Sequence, residues 1–368
     1  MLKVRFIKAI DRVIGTLLVE MTPAPRVPPP CEPRRILFIR PGGIGDAVLL
    51  IPAMRAVKKR YPGCQITVLA EKRNGAVFSL CGDVRQVFRY DRFGEILKAV
   101  GGAYDVVVDT EQWHRLSAFF ARCTGAPMVI GFATNQRSRM FTHAVPYSHE
   151  SYEVLSFFNL LKPLGIDIVS NPVSPFLDVP EKAFAGADAK LGSLAGQVFL
   201  TIFPGASIPE RRWGSAKFRE LAVRLQGRGY PVVVVGGKGD EEAGWEIVGE
   251  GGGLNLAGRT SLPETAAVIA RSMLLITGDS GVLHIAVGVG TRTVSLFGPG
   301  IEKKWAPSGD CHMVLNKGLS CSPCTRFGYT PTCRIGARCL AEITVGEVED
   351  AVIRLLTSHP EVKSREKE

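Results

Sequence analysis

The stretch that decides the fold is RRILFIRPGGIGDAVLLIPAMRAVKKRYPGCQITVLAEK, residues 34–72. A short apolar run at 36–40 opens into a glycine turn. A helix-like stretch at 47–60 follows, then a second apolar run at 65–70. Strand, turn, helix, strand is one repeat of a parallel sheet with crossover helices. Such turns usually hold a phosphate, because the amides at a helix start attract anions. Here Asp46 stands directly behind the last glycine, where its charge repels a phosphate. Gly42, Gly43 and Gly45 still allow a different substrate to come close. Against the dinucleotide pattern G-x-G-x-x-G/A counted from Gly43, the third small position is filled by Val48, which is too large for close helix–strand packing. Glu71, at the end of the next strand, keeps a nicotinamide-dependent oxidoreductase as a rival reading. Asp46 itself has two readings. It caps the helix and complements its dipole, or it is a general base aimed at a substrate.

Outward from this stretch the rhythm continues. YDVVVDT (104–110) and PMVIGF (127–132) read as further strands. Residues 171–196 lose the pattern and gain Pro and Gly. A second series then runs through VFLTIFPG (198–205), PVVVVGG (231–237), LLITG (274–278) and TVSLFG (293–298). Helices are expected at 215–228, around 239–250, at 263–272 and from Ser280. The expected fold class is α/β, two Rossmann-like doubly wound domains facing a cleft at the carboxyl ends of the strands. The domains are placed at 34–178 and 197–345, with a C-terminal helix and tail at 346–368. The helix-like stretch 345–357 could cross back to the first domain. Residues 1–33 stand apart. Phe6, Ile7, Ile10, Val13, Ile14, Leu17 and Leu18 recur at helical spacing among Lys3, Arg5, Lys8 and Arg12. That is a basic amphipathic helix, suited either to an anionic membrane face or to docking on the protein's own surface. The proline-rich 22–33 reads as an extended linker.

With 368 residues, two domains are the default, and 46% apolar with 22% charged residues is the composition of a globular protein. The formal charge of +10 favours an anionic partner. The basic residues do not alternate with aromatics along any one element, so no nucleic-acid partner is expected. The apolar N-terminal stretch is broken by Lys8, Asp11 and Arg12, which argues against a secretory signal. No apolar run approaches the roughly 20 residues of a membrane span. The nine cysteines do not form a disulfide scaffold, and a reducing cytoplasm is the expected setting.

In the second series, LLITGDSGVLHIAVGVGT carries the better anion site. The strand ends at Thr277, and Ser280 and Gly281 open a helix whose amides and dipole suit a diphosphate. His284 lies one turn in on the same face, where it is either an internal structural histidine or a phosphate donor. In FPGASIPERRWGSAKF, the loop after a strand holds Ser207, Arg211, Arg212 and Trp213. Adjacent arginines suit a departing diphosphate, although surface charge accounts equally for Arg212. VVVVGGKGDEE sets Glu241 and Glu242 after another strand, where a carboxylate accepts ribose hydroxyls.

RPGGIGD, PGASIPERRW, VVVVGGKGDEE and TGDSGVLH, in this order over about 35–345, together resemble glycosyltransferase family 9, the ADP-heptose:lipopolysaccharide heptosyltransferases. The resemblance implies glycosyltransferase-B architecture, with acceptor on the N-terminal domain and donor nucleotide-sugar on the C-terminal one. It makes Asp46 the proposed base. Asp279, Ser280, Gly281 and His284 become the D-[TS]-G-x-x-H element that holds the donor's diphosphate and sugar. Glu241 becomes the ribose contact, with Glu242 a near rival. Arg211 stands where better-known members have lysine, which keeps the charge but turns a point cation into a fork. Cys321, Cys324, Cys333 and Cys339 follow as CSPC, C-x8-C and C-x5-C on a Gly-, Pro- and Arg-rich loop. They fit a structural metal, free thiols or a disulfide.

The function so implied is an inverting transfer of heptose or a related sugar from an ADP-sugar to a lipopolysaccharide core or lipid A acceptor. No cofactor and no catalytic metal are expected. The expected setting is cytoplasmic and peripheral on the inner membrane, the expected state monomeric. The rival in another class is a non-catalytic nucleotide-sugar-binding or assembly protein.

Overall fold

The computed structural model describes residues 11–29, 32–167, 173–249, 253–326 and 329–358. Contacts divide the chain between residues 172 and 173 into two compact units. The first holds a six-stranded sheet of β1 (Arg35–Arg40), β2 (Gln65–Ala70), β3 (Val84–Arg89), β4 (Val106–Asp109), β5 (Met128–Phe132) and β6 (His143–Val145). Its order is β3-β2-β1-β4-β5-β6, and every pairing is parallel. Helices cover such sheets on both faces, so inner strands read as continuous apolar runs. Every residue of β4 and β5, and of β1 beyond Arg35, is buried accordingly.

The second unit repeats the plan with β7 (Leu200–Phe203), β8 (Val232–Val234), β9 (Leu254–Asn255), β10 (Leu274–Gly278), β11 (Arg292–Phe297) and β12 (His312–Asn316). Its order, β12-β11-β10-β7-β8-β9, is the same topology seen from the other side. In both sheets the first and fourth strands of the series are neighbours. The strand order reverses between them, and loops leaving their carboxyl ends part to opposite faces, which opens a crevice for ligands.

Differences from expectation fall at the margins. β3, β6, β9 and β12 are all outer strands, and none was expected. Residues 181–191, expected to be irregular, form a helix tied to the helix Leu262–Arg271 by a Lys190–Glu264 ion pair. The second unit also begins earlier than expected, since the amides of Phe176 and Leu177 donate to Gly288 O. The helix Val345–Thr357 does not serve as a crossover. Val348, Val352 and Leu355 join the core built on β7, β8, β10 and β11.

The expected helix at 1–21 lies partly outside the described residues, as do Pro30 and Cys31 of the linker. What is described begins with one π-helical turn, Asp11–Gly15, followed by α1 (Thr16–Met21). This segment docks. Val19 is fully buried in the first unit's core, and Asp11 Oδ1 accepts from the amides of Arg115 and Leu116 at 2.8 Å each. Those are the first amides of α3 (Arg115–Cys123), whose own N-cap residue, His114, provides no side-chain cap. Asp11 therefore does the capping from a distant part of the chain. Val13, Ile14, Leu17 and Met21 face outward. No described helix is long and apolar enough to cross a membrane.

Candidate functional site

In the first unit the glycine turn leads from β1 into α2 (Ile44–Arg60). Gly42 has φ +118°, and a Cβ there would lie 3.0 Å from Arg40 Nη2, so glycine is required on both counts. The N-cap is Gly43, and Asp46 sits half-buried in the first turn. Asp46 is thus not the cap. It complements the dipole from inside the helix, on the side of the turn where Arg40 lies.

Arg40 was not singled out from sequence. It is 1% exposed, and its fork is fully engaged. Nε donates to Pro41 O at 2.8 Å, Nη1 to Thr110 O at 2.8 Å and Nη2 to Glu111 Oε2 at 3.2 Å. Burial alone favours loss of its proton. The carboxylates of Asp46, then Glu111, Glu153 and Asp109 outweigh burial and raise its pKa. Burial likewise pushes Glu111 up, but Arg40 foremost, then His114 and Arg137, hold its carboxyl below the usual value. Around them Gln112 donates to Glu153 Oε1 at 2.6 Å and Tyr147 to Glu153 Oε2 at 3.0 Å. Burial, then the charges of Glu153 and Asp46, keep the Tyr147 hydroxyl protonated. The acids of this cluster had a signal in the sequence, since DTEQW closes β4 and runs past its carboxyl end.

In the second unit, α4 (Gly281–Gly288) starts at the carboxyl end of β10. Ser280 is its N-cap. Its Oγ accepts from the Leu283 amide at 3.4 Å and meets Thr277 Oγ1 at 3.1 Å. A helix leaves its first amides unmatched, and with Leu283 taken, those of Gly281 and Val282 remain to attract an anion. Arg211 Nη1 pairs with Asp279 Oδ2 at 3.1 Å, and Nη2 donates to Thr325 Oγ1 at 3.3 Å. Its side chain is 17% exposed. The loop bearing it is pinned by Trp213, whose indole N–H donates to Ile343 O at 3.0 Å. Gly300 is required here too, because a Cβ on it would fall 2.0 Å from Asp279 Oδ2. His284 is 3% exposed. Burial lowers its pKa to about 4, so at neutral pH it is an uncharged imidazole. Its Nδ1 has no hydrogen-bond partner among the described residues.

The other candidates lie around this group. Arg212 is exposed, and its Nη2 donates to Ala206 O at 3.2 Å. Ser207 is exposed on the same loop. Glu241 opens a helix after β8, and its Oε2 lies 3.6 Å from where a Gly258 Cβ would be; Glu242 is exposed. Asp240, not singled out from sequence, is wedged beside them. A Cβ on Gly205 would meet its Oδ1 at 2.5 Å, and its Oδ2 accepts from the Gly237 amide at 2.9 Å. The four clustered cysteines line a cavity of about 270 Å³. A larger cavity of about 930 Å³, lined by Arg34, Arg35, Arg60 and Arg85, opens at the amino ends of β1 and β2. It lies at the end of the sheet opposite Asp46, and ligands of doubly wound sheets bind at the carboxyl ends.

Two doubly wound units, one with a helix starting at the carboxyl end of its fourth strand, define the class of paired Rossmann-like folds. The model of glycosyltransferase family 9 (heptosyltransferase) matches residues 92–331, and the chain belongs to that family. Lipopolysaccharide heptosyltransferase 3 of Escherichia coli is 28% identical over 287 residues, 72% of this chain and 83% of the relative. Lipooligosaccharide heptosyltransferase 2 of Haemophilus influenzae is 27% identical over 309 residues, 76% of this chain and 88% of the relative. Among solved structures, E. coli ADP-heptose lipopolysaccharide heptosyltransferase II aligns with a TM-score of 0.72 at 25% identity, covering 88% of this chain and 99% of that one. A family 9 glycosyltransferase from Veillonella parvula aligns with a TM-score of 0.74 at 22% identity, over 91% and 99% respectively. The fold is glycosyltransferase-B, and the protein is a glycosyltransferase.

Proposed function

We propose that the enzyme moves a heptose from ADP-heptose to the core of a lipopolysaccharide acceptor, with inversion at the transferred carbon. The relatives are lipopolysaccharide and lipooligosaccharide heptosyltransferases, which supports the donor and acceptor class. The observation that carries the donor side is the grouping of Arg211, Asp279 and the Ser280-capped helix start over buried His284.

In this reading the second unit holds the donor. The amides of Gly281 and Val282 and the guanidinium of Arg211 take the diphosphate, and neutral His284 donates one N–H. Glu241 takes the ribose hydroxyls. In the first unit, Gly42, Gly43 and Gly45 admit the acceptor sugar, and Asp46 removes the proton of the attacking hydroxyl. The acceptor oxygen forms its bond to the anomeric carbon as the bond from that carbon to the phosphate oxygen breaks. ADP leaves with the electron pair, and the proton stays on Asp46. Arg211 and the helix dipole neutralise the charge developing on ADP. The mechanism therefore calls for no metal at the reacting carbon and no cofactor. Because such an acceptor is lipid-anchored, the enzyme works at a membrane surface, to which Val13, Ile14, Leu17 and Met21 present an apolar face beside Arg12.

The test is Asp46→Asn assayed with ADP-heptose and a defined truncated core. Turnover should fall roughly a hundredfold or more, as loss of a general base does, while ADP affinity stays close to wild type. Turnover within a few-fold of wild type removes Asp46 as the base. A product with retained anomeric configuration removes the single-displacement mechanism.

A further inference from the structure

Four arginines meet at the end of the first unit's sheet that lies away from the glycine turn. Arg34 and Arg35 lead into β1, Arg60 ends α2, and Arg85 stands second in β3. The order β3-β2-β1 sets the amino ends of these strands side by side, with Arg35 level with Gln65 and Ile66 level with Val84. All four arginines line the cavity of about 930 Å³, and Glu32 is the only acid in its wall. Among the described residues no carboxylate pairs with any of the four guanidinium groups.

The backbone beneath them is fixed. Asp105 Oδ2 accepts from the amides of Arg34 at 2.7 Å and Arg35 at 2.8 Å, which engages that acid with the main chain. Arg60 lies over the Tyr61 ring at 5.0 Å, and the Tyr61 hydroxyl donates to Leu164 O at 2.8 Å, so ring and guanidinium are both positioned. Complementing the helix dipole accounts for Lys58, Lys59 and Arg60 in the last turn of α2. It does not account for Arg34, Arg35 and Arg85, which belong to strands or their approach, since sheets carry little net dipole. Like charges gathered without counter-ions repel one another, and a bound anion removes that repulsion. Guanidinium forks match the oxygens of a phosphate two at a time. The volume exceeds what one phosphate fills and suits a small molecule that carries one.

We propose that the cavity at the amino ends of β1, β2 and β3 is a second anion site. It takes a phosphate- or diphosphate-bearing group, either the headgroup of an anionic lipid or a soluble phosphate ester. It lies a strand's length from the glycine turn, about 20 Å for the six residues of β1. It therefore binds and takes no part in the transfer chemistry. Arg211 and the Ser280-capped helix start belong to the other unit, so the two anion sites answer to different variants.

The test titrates inorganic diphosphate into the full chain by calorimetry at low ionic strength. Two equivalents are expected, one removed by Arg211→Gln and the other by Arg35→Gln with Arg85→Gln. The cavity equivalent should weaken about tenfold or more for each arginine lost, the usual effect of losing a charge-assisted hydrogen bond. Arg34→Gln with Arg60→Gln should give the same loss, which keeps the result independent of one pair of positions. Lys98→Gln with Arg139→Gln removes the same charge from exposed positions of the same unit outside the cavity, and should leave both equivalents intact. A single equivalent that only Arg211→Gln removes overturns the site. So does an equal loss in the charge-matched control, because the binding is then diffuse surface charge. A single equivalent that only the cavity variants remove leaves this site standing and counts against the donor reading. Vesicles of phosphatidylglycerol in phosphatidylcholine separate the two sources. Sedimentation that falls in the cavity variants and is competed by diphosphate assigns a lipid headgroup, and unchanged sedimentation assigns the soluble ester.

Discussion

Arg40 spends every nitrogen of its guanidinium on the interior of the first unit, and this sets what its replacement does. Arg40→Met leaves Glu111 buried with its main counter-charge removed, a change that typically costs about 3–5 kcal/mol. Urea unfolding should register it as a lower midpoint, whereas a change at the rim would be nearly silent. His284 gives a pH dependence of definite sign. Its folded pKa of about 4 lies below the ordinary 6.5, so the unfolded chain binds the proton more readily. The stability it contributes is complete above about pH 6.5 and is lost as pH falls toward 4. Unfolding curves across that window should be steeper for wild type than for His284→Asn, and equal slopes would mean that His284 titrates normally. Asp46, Arg211, Ser280 and His284 stand out as candidates in the sequence because each follows an apolar run, while Asp279 is marked only by the family resemblance; the structure places Arg211 and Asp279 in contact beside the Ser280-capped helix start. Arg40 and Asp240 do not stand out. Arg40 ends a run and reads as surface charge until the fold shows four carboxylates around it. Asp240 gains meaning only from glycines in the loops that follow two separate strands.

At the scale of elements, what could be read tracks burial. The inner strands are apolar runs sealed on both faces and announce themselves. β3, β6, β9 and β12 are half-exposed or very short, and VRQVFR or HMVLN has no period strong enough to separate it from loop. The N-terminal segment shows the opposite failure. Its amphipathic pattern is plain, but the partner of its inner face depends on Asp11 reaching α3 from more than a hundred residues away in the chain. Asp11→Ala should destabilise the first unit by about 1–2 kcal/mol, the usual worth of an N-cap, and deleting residues 1–29 should cost more because Val19 also leaves the core. Calorimetry on both variants checks this. A truncated chain that melts like wild type would show the docking to be dispensable. Vesicle co-sedimentation of Val13→Ser with Leu17→Ser, which leaves Asp11 and Val19 in place, then tests the outward face alone, and undiminished binding would remove its membrane role.

Over the whole molecule, each unit has its own sheet and its own apolar core. Residues 173–368 expressed alone should melt cooperatively and gain stability from ADP, since a ligand of the native state stabilises by mass action. A folded fragment indifferent to ADP would displace the donor from this unit. The shared strand order has one more consequence. In both units an arginine at or after the first strand grips an acid just after the fourth: Arg40 with Glu111, Arg211 with Asp279. Each pair works as a fastener across the seam where the crossovers part. The first fastener is closed, its arginine side chain 2% exposed; the second is ajar at 17%. A closed fastener can only hold cloth together, while one left ajar can also take hold of something passing by. Cutting the first should therefore show itself as lost folding, and cutting the second as lost grip on an anion by a protein that still folds.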